Sequence, residues 1–235
     1  MKLQKETKTD LTGSKASKHG KWYDDACGTA FALELIGERW SLLIVRELMF
    51  GGRRFSDLRG GLPGISAKVL TERLESLEQA NIVQRRHLPP PASVQIYELT
   101  RWGYAAEEPI KVLGRWAASS PDHDPTLPLS AASFMLSLRT MYDLKKAGGL
   151  AARGAITIGP ERFHVQVGNG VFRAERGEIA APDFAFAAPV AMSIAAAIYG
   201  KVPFAQLAEA GLRFSGDMAL AARFIDMFHL PKKIV

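Results

Sequence analysis

Five histidines (His19, His87, His123, His164 and His229) and one cysteine (Cys27) are the side chains best suited to metal or nucleophilic chemistry in this sequence. Their spacing assembles no site. The histidines form no HExxH pair, no glycine-rich phosphate loop follows a strand, and there is no GxSxG elbow. Asp122-His123-Asp124 has ligand types, but between Pro121 and Pro125 it reads as a solvated turn. No catalysis, no metal and no cofactor are expected. Cys27 is ambiguous. A single cysteine builds no intramolecular disulfide. A helix N-terminus lowers a thiol's pKa, whereas Asp24 and Asp25 just before it oppose the thiolate. A lone cysteine beside an apolar helix is read as packed. Redox sensing is the alternative and would need an intermolecular disulfide or a reversible cap.

The 235 residues are 47% apolar and 23% charged, as in an ordinary globular chain of one or two domains, which argues against a mostly disordered or fibrous protein. No run approaches the ~18 consecutive apolar residues of a membrane helix, so no membrane partner is expected. The formal charge of +6 permits a polyanionic partner. It is shared evenly, three on residues 1–122 and three on the remainder. Locally, positions 39–73 hold seven cations (Arg39, Arg46, Arg53, Arg54, Arg59, Lys68, Arg73) against three acids (Glu47, Asp57, Glu72).

Residues 1–20 are rich in Lys, Thr, Ser and Gly, with six lysines before Trp22 and no apolar stretch of a secretory signal. They read as a flexible basic tail on a cytoplasmic protein. Turn-formers crowd at Ser119-Ser120-Pro121-Asp122-His123-Asp124-Pro125. A boundary there divides the chain into a unit at 21–119, a linker at 120–128 and a second unit at 129–235.

Helical spacing runs from Cys27 to Ile36 and from Trp40 to Met49, closed by Gly51-Gly52. A short helix at Phe55–Arg59 precedes the turn Gly60-Gly61-Leu62-Pro63-Gly64. An amphipathic segment follows from Ser66 to Ala80, with Val69, Leu70, Leu74 and Leu77 as its buried stripe, Ser66 as N-cap and Asn81 as left-handed stop. Two β-biased runs, Ile82–Leu88 and Val94–Leu99, flank Pro89-Pro90-Pro91-Ala92-Ser93 and read as a hairpin. A last helix begins near Thr100 or Arg101 and carries Ile110, Leu113, Trp116 and Ala117. This order is that of a winged helix-turn-helix. Beyond the stripe, Ser66, Ala67, Lys68, Thr71, Glu72, Arg73 and Ser76 are free to face DNA. The expected DNA-binding residues are Ser66, Ala67, Lys68, Thr71 and Arg73 on that helix, Arg85, Arg86 and His87 on the wing, and Arg53 and Arg54 before the third helix. Small residues at the helix start admit it to the groove, Lys68 and Thr71 would reach base edges, and Arg73 a phosphate.

In these residues the stretch Cys27–Trp116 resembles the HxlR family of bacterial transcriptional regulators, relatives of the MarR winged-helix proteins. The resemblance is carried by Cys27, Gly37-Glu38-Arg39-Trp40, Leu42-Leu43-Ile44, Arg53-Arg54-Phe55 with Leu58, Leu62-Pro63-Gly64-Ile65-Ser66, Lys68, Leu70-Thr71, Arg73-Leu74, Leu77-Glu78, Val83, Arg85, Tyr97, Leu99-Thr100, Gly103 and Trp116. It implies a homodimer on double-stranded DNA, with the first and last helices packed across the two-fold axis and the Ser66 helix in the major groove. Half-sites about 34–36 Å apart, or a multiple, would follow. It also implies, from some members of the family, a sensing role for Cys27. Asn81 stands where the family usually has Gly, and Gln95 where Val is usual, a change expected to weaken the packing of the wing.

The second half reads as a helix over Ser130–Lys146, strands at Ala155–Ile158, Arg162–Val167, Val171–Arg176 and Phe184–Ala187, a helix at Pro189–Tyr199, a strand at Leu212–Ser215 and a helix at Asp217–Phe228. The whole is therefore α+β: an N-terminal winged helix-turn-helix followed by a smaller sheet-and-helix unit. Pro182-Asp183-Phe184, Gly200-Lys201 and Leu212-Arg213-Phe214-Ser215-Gly216-Asp217 resemble the sterol-carrier-protein-2-like domain. That resemblance implies an apolar cavity lined by Phe134, Leu138, Met141, Phe163, Phe186, Met192, Ile198, Phe224 and Phe228, suited to a small hydrophobic effector. Simple core filling is the alternative. The favoured function is a dimeric, effector-modulated regulator. The alternatives are a regulator switched through Cys27, and a small-molecule carrier that uses the winged helix only to dimerise.

Overall fold

The computed structural model describes residues 23–234, and the expected basic tail at 1–20 lies outside them. Strands β1 (Val83–His87) and β2 (Gln95–Leu99) pair antiparallel, from Val83↔Leu99 to His87↔Gln95, beside four helices: α1 (Gly28–Ile36), α2 (Ser41–Leu48), α3 (Phe55–Gly61) and α4 (Ala67–Gln79). Helix α2 is central, with Ile44, Val45 and Leu48 fully buried. Helix α4 buries Leu70, Leu74 and Leu77, the i, i+4, i+7 stripe of an amphipathic helix.

Local chemistry sets the ends of α4. The Ser66 hydroxyl accepts the Val69 N–H at 3.2 Å, which satisfies one of the first-turn donors. At the other end Asn81 has φ +56°. Its N–H donates to the Glu78 carbonyl and that of Ile82 to the Leu77 carbonyl, both at 2.9 Å. These are the paired bonds of a Schellman stop, so Asn serves where Gly is usual. Gln95 is exposed at the loop end of the hairpin, opposite His87, and has no buried packing to lose.

The single last helix of the first half is instead two, α5 (Arg101–Ala105) and α6 (Glu107–Ala118). Pro109 lacks an N–H and cannot sit in a helix interior, so the helix restarts with Pro109 in its first turn. The Thr100 hydroxyl caps α5, accepting the Gly103 N–H at 3.0 Å and donating to the Asn81 carbonyl at 2.8 Å. A Cβ on Gly103 would lie 2.2 Å from the Ile82 carbonyl oxygen, so only glycine lets this turn rest on the hairpin.

The second half is a five-stranded sheet under helices. Its elements are α7 (Ala131–Met141), α8 (Leu144–Ala147), β3 (Ala152–Ile158), β4 (Glu161–Gly168), β5 (Val171–Arg176), β6 (Phe184–Ala188), α9 (Ala191–Ile198), α10 (Phe204–Leu207), β7 (Arg213–Gly216) and α11 (Met218–Asp226). The strand order is β5-β4-β3-β6-β7; β3 and β6 run parallel and the other neighbours antiparallel. Phe163, Val165 and Val167 alternate inward along β4, as a sheet with one covered face requires. The helix expected through Lys146 ends at Met141. Tyr142 turns extended and bridges Phe228, and the Asp143 N–H donates to the Met227 carbonyl at 2.8 Å. The short α10 went unread because four residues carry no helical period.

Buried residues form one continuous cluster from Ile44 through Phe134 to Phe228, so the two halves share a core. Glu47, 1% exposed on α2, accepts the Ser130 hydroxyl at 2.6 Å, and Ser130 in turn caps α7. Among the described residues no helix is long and apolar enough to cross a membrane.

Candidate nucleic-acid interface

The turn between α3 and α4 positions the candidate reading helix. Leu62 and Ile65 are buried anchors, and the Ile65 N–H donates to the Leu62 carbonyl at 3.1 Å. Between them Gly64 takes φ +90°, a conformation L side chains avoid. Helix α4 thus projects with Ser66, Ala67, Lys68, Thr71 and Glu72 exposed, opposite its leucine stripe. Lys68, Arg54 and Arg59 are exposed cations with no ion-pair partner among the described residues.

The other expected cations are engaged. Arg73 is half-buried and paired with Glu38. On the wing, Arg85 pairs with Glu78 at 2.7 Å and lies 5.5 Å over the Tyr97 ring, while Arg86 pairs with Glu98 at 3.2 Å. Both wing arginines keep about half of their side chains in solvent, and such exposed pairs are weak and readily exchanged for phosphate. His87 is exposed beside them. Arg53 departs from expectation. Its side chain is 12% exposed and donates twice to Glu161 of β4, at 2.6 and 3.1 Å. An acid more than a hundred residues away in sequence takes it off the surface.

Cys27 is exposed, which corrects the expectation that it packs. It sits at the N-cap of α1, where the backbone N–H of Thr29, then that of Ala30, hold the thiol below its usual 9.0. The neighbouring Asp25 carboxylate accepts the Cys27 backbone N–H at 2.9 Å. Asp124 in the linker is committed to Thr126, accepting its hydroxyl at 2.6 Å and its N–H at 2.8 Å. His123 gives its carbonyl to Lys233 at 2.9 Å.

Most of the side chains expected to line an effector cavity are withdrawn into the core. Phe134, Leu138, Phe163, Phe186, Ile198, Phe224 and Phe228 are each at most 1% exposed, with Met141 and Met192 half-buried. Phe224 packs its ring 4.9 Å from Phe228 and 5.0 Å from Phe184. A cavity of about 630 Å³ opens elsewhere, between α1 and α4, with Leu33, Glu38, Arg73 and Ser76 on its walls. Another of about 340 Å³ lies between α9 and α11, beside Lys201, Phe204 and Met218. None of the nine side chains lines either one.

The family resemblance implied that the last helix packs against a second copy, but sequence reasoning did not say which residues of α6 face outward. Val112, Leu113 and Trp116 are 61, 46 and 69% exposed, and Trp102 of α5 is 48% exposed. The helical spacing of Leu113 and Trp116 was legible, but not that their face points away from the core.

The family model described as HxlR-like helix-turn-helix matches residues 35–124. The HTH-type transcriptional regulator YodB of Bacillus subtilis is 42% identical over 86 residues, which are 37% of this chain and 77% of that relative. YtfH of Escherichia coli, an HTH-type transcriptional regulator, is 33% identical over 103 residues, 44% of this chain and 82% of the relative. The reduced form of B. subtilis YodB aligns with a TM-score of 0.39 and 37% identity over 43% of this chain and all of that one. The chain therefore belongs to the HxlR-like helix-turn-helix family and is a transcriptional regulator of that type.

Proposed function

We propose that this regulator is a homodimer that reads a pseudo-palindromic double-stranded DNA operator through α4, with the wing on the flanking backbone. The observation that carries the reading is the outward face of α4, where small residues at the N-terminus stand beside an exposed Thr71 and a Lys68 with no ion-pair partner among the described residues. Small side chains let the helix approach a groove about 12 Å wide. Lys68 and Thr71 then meet base edges, while Arg54, Arg86 and His87 meet phosphates. Arg73 reaches a phosphate by releasing Glu38. The exposed Val112, Leu113 and Trp116 support the dimer, since a second copy of α6 removes that apolar face from water. The division of labour at 120–128, a reading unit before it and a sheet unit after it, belongs to the same proposal.

Titration with a duplex carrying the upstream region of its own gene tests the reading. Affinity is expected to fall with salt at a slope of about −0.9 per neutralised phosphate. A flat response defeats the DNA reading and leaves the carrier alternative. A Trp116→Arg variant should elute as a monomer in size exclusion and lose the operator.

One observation favours a second reading of the switch. The exposed Cys27 thiol, held low by the amides of α1, is shifted toward the thiolate that oxidants attack. If a Cys27→Ser protein still releases DNA on oxidation, the thiol is not the switch. Seven of the nine side chains expected around an apolar effector are at most 1% exposed and none lines either cavity, so no effector site among them is part of this proposal.

A further inference from the structure

Building on the DNA-binding reading above, we propose that Arg53 acts on operator affinity as a positioning residue: together with Glu161 and Arg176 it fastens the wing to the sheet of the second half. The backbone of Arg53 is a one-residue third strand of the wing sheet. Its N–H donates to the Tyr97 carbonyl and the Tyr97 N–H to its own, both at 2.8 Å. The side chain points the other way. Both of its terminal nitrogens hold the Glu161 carboxylate, a two-pronged geometry that fixes the plane of the guanidinium as well as its position.

The same carboxylate also accepts from Arg176, at the end of β5. Arg176 reaches back to the first half, donating to the Phe50 carbonyl at 3.1 Å, and lies 4.7 Å over the Phe163 ring. Phe50 itself is pinned, its ring edge-on to Phe163 at 5.7 Å and under the Arg139 guanidinium at 4.4 Å. Both ends of the short connection from α2 to α3, Phe50 and Arg53, are thus tied to one carboxylate on β4. That connection leads into the helix-turn-helix, and its last step is hydrogen-bonded to the wing. Arg53 Nε and Arg176 Nη2 are buried with no hydrogen-bond partner among the described residues, and Glu161 is the acid both cations pair with.

Two further facts separate this role from a phosphate contact. Arg53 is 12% exposed, whereas its neighbour Arg54 stays in solvent. The family match ends at residue 124, before Glu161 and Arg176, so the half outside that match holds the wing.

The test is a duplex titration of the full-length protein across a range of salt, with wild type, Glu161→Gln, Arg53→Lys and Arg54→Ala. By charge alone, removing an acid tightens DNA binding. The proposal predicts the opposite: Glu161→Gln weakens the operator complex about three- to tenfold with an unchanged salt slope. Arg53→Lys keeps the charge but loses the two-pronged bond, and should weaken binding by a similar factor. Arg54→Ala, in contrast, should lower the slope by about one. Tighter or unaltered binding by Glu161→Gln, or wild-type binding by Arg53→Lys, overturns the proposal. Circular dichroism confirms that each variant is folded. If Glu161→Gln is not, the shorter Glu161→Asp carries the test with the same expected sign. A wild type that shows no salt-dependent duplex binding overturns the DNA reading itself, and is distinguished because the former failures require a wild type that binds.

Discussion

Arg53 and Arg54 are neighbours in the chain and end in opposite circumstances, one locked between the halves and the other open to solvent. The same contrast separates two regions. On the reading face, Lys68, Arg54 and Arg59 carry charges with no partner among the described residues, and water supplies their solvation. At the joint, Arg53, Arg176 and Arg139 are largely withdrawn from water and rely on Glu161, Glu107 and backbone carbonyls. A solvated cation is available to a phosphate at little cost, whereas a buried one is already part of the fold. Residue type alone therefore does not say which arginines are functional.

Mutations should divide along the same line: joint variants lose stability and weaken binding without changing its salt slope, whereas variants of the exposed cations change the salt slope or the sequence preference while leaving stability nearly unchanged. Phe50→Ala is expected to have the largest effect, about 3–5 kcal/mol in urea denaturation, because it empties the space between Phe163 and Arg139. A loss below about 1 kcal/mol would show that the joint is not tightly packed. Next is Glu161→Gln, at roughly 1–3 kcal/mol near neutral pH, since it removes the counter-charge of two largely buried arginines and turns one acceptor oxygen into an NH2 donor.

The pH dependence of that difference sharpens the comparison. Burial raises the Glu161 carboxyl, but hydrogen bonds from Arg53 and Arg176 outweigh it, and the net position lies below the ordinary 4.5. A carboxylate held lower in the folded state stabilises fully above 4.5, and that contribution disappears as pH falls through the folded value. The denaturation midpoints of wild type and Glu161→Gln should therefore converge on acidification. Parallel curves from neutral to strongly acid pH would contradict the ion-pair account.

On the reading face, Ser66→Ala removes the α4 cap and should cost about 1 kcal/mol. Lys68→Ala should change stability by no more than about 0.5 kcal/mol while altering DNA sequence preference. If Lys68→Ala destabilises as much as Glu161→Gln, the division between the two regions fails.

The legible parts of this fold were those written in short range. Ser66, Asn81 and the Leu70–Leu74–Leu77 stripe announce α4 because capping and amphipathic spacing act within a few residues. The alternation of Phe163, Val165 and Val167 announces β4 in the same way. The break at Tyr142 was not legible, because its cause is a bridge to Phe228 in a distant segment. Nor was the burial of the phenylalanines of the second half, since a stripe of phenylalanines has the same spacing around a cavity as around a solid core. Cys27 misled through a statistical habit of cysteines; α1 has no buried residue for it to pack beside.

The winged helix-turn-helix, the face that α4 presents and the lack of recognisable catalytic motifs were all readable from the residues alone, because each rests on neighbours within a helical turn or a hairpin. Packing between distant segments settled the rest: Arg53 faces inward, α6 turns Trp116 outward, and Phe134, Phe163, Phe186, Phe224 and Phe228 are buried in the core of the second half. Those outcomes depend on which surfaces meet, and Glu161 meets Arg53 only once β4 has been laid against the connection between α2 and α3.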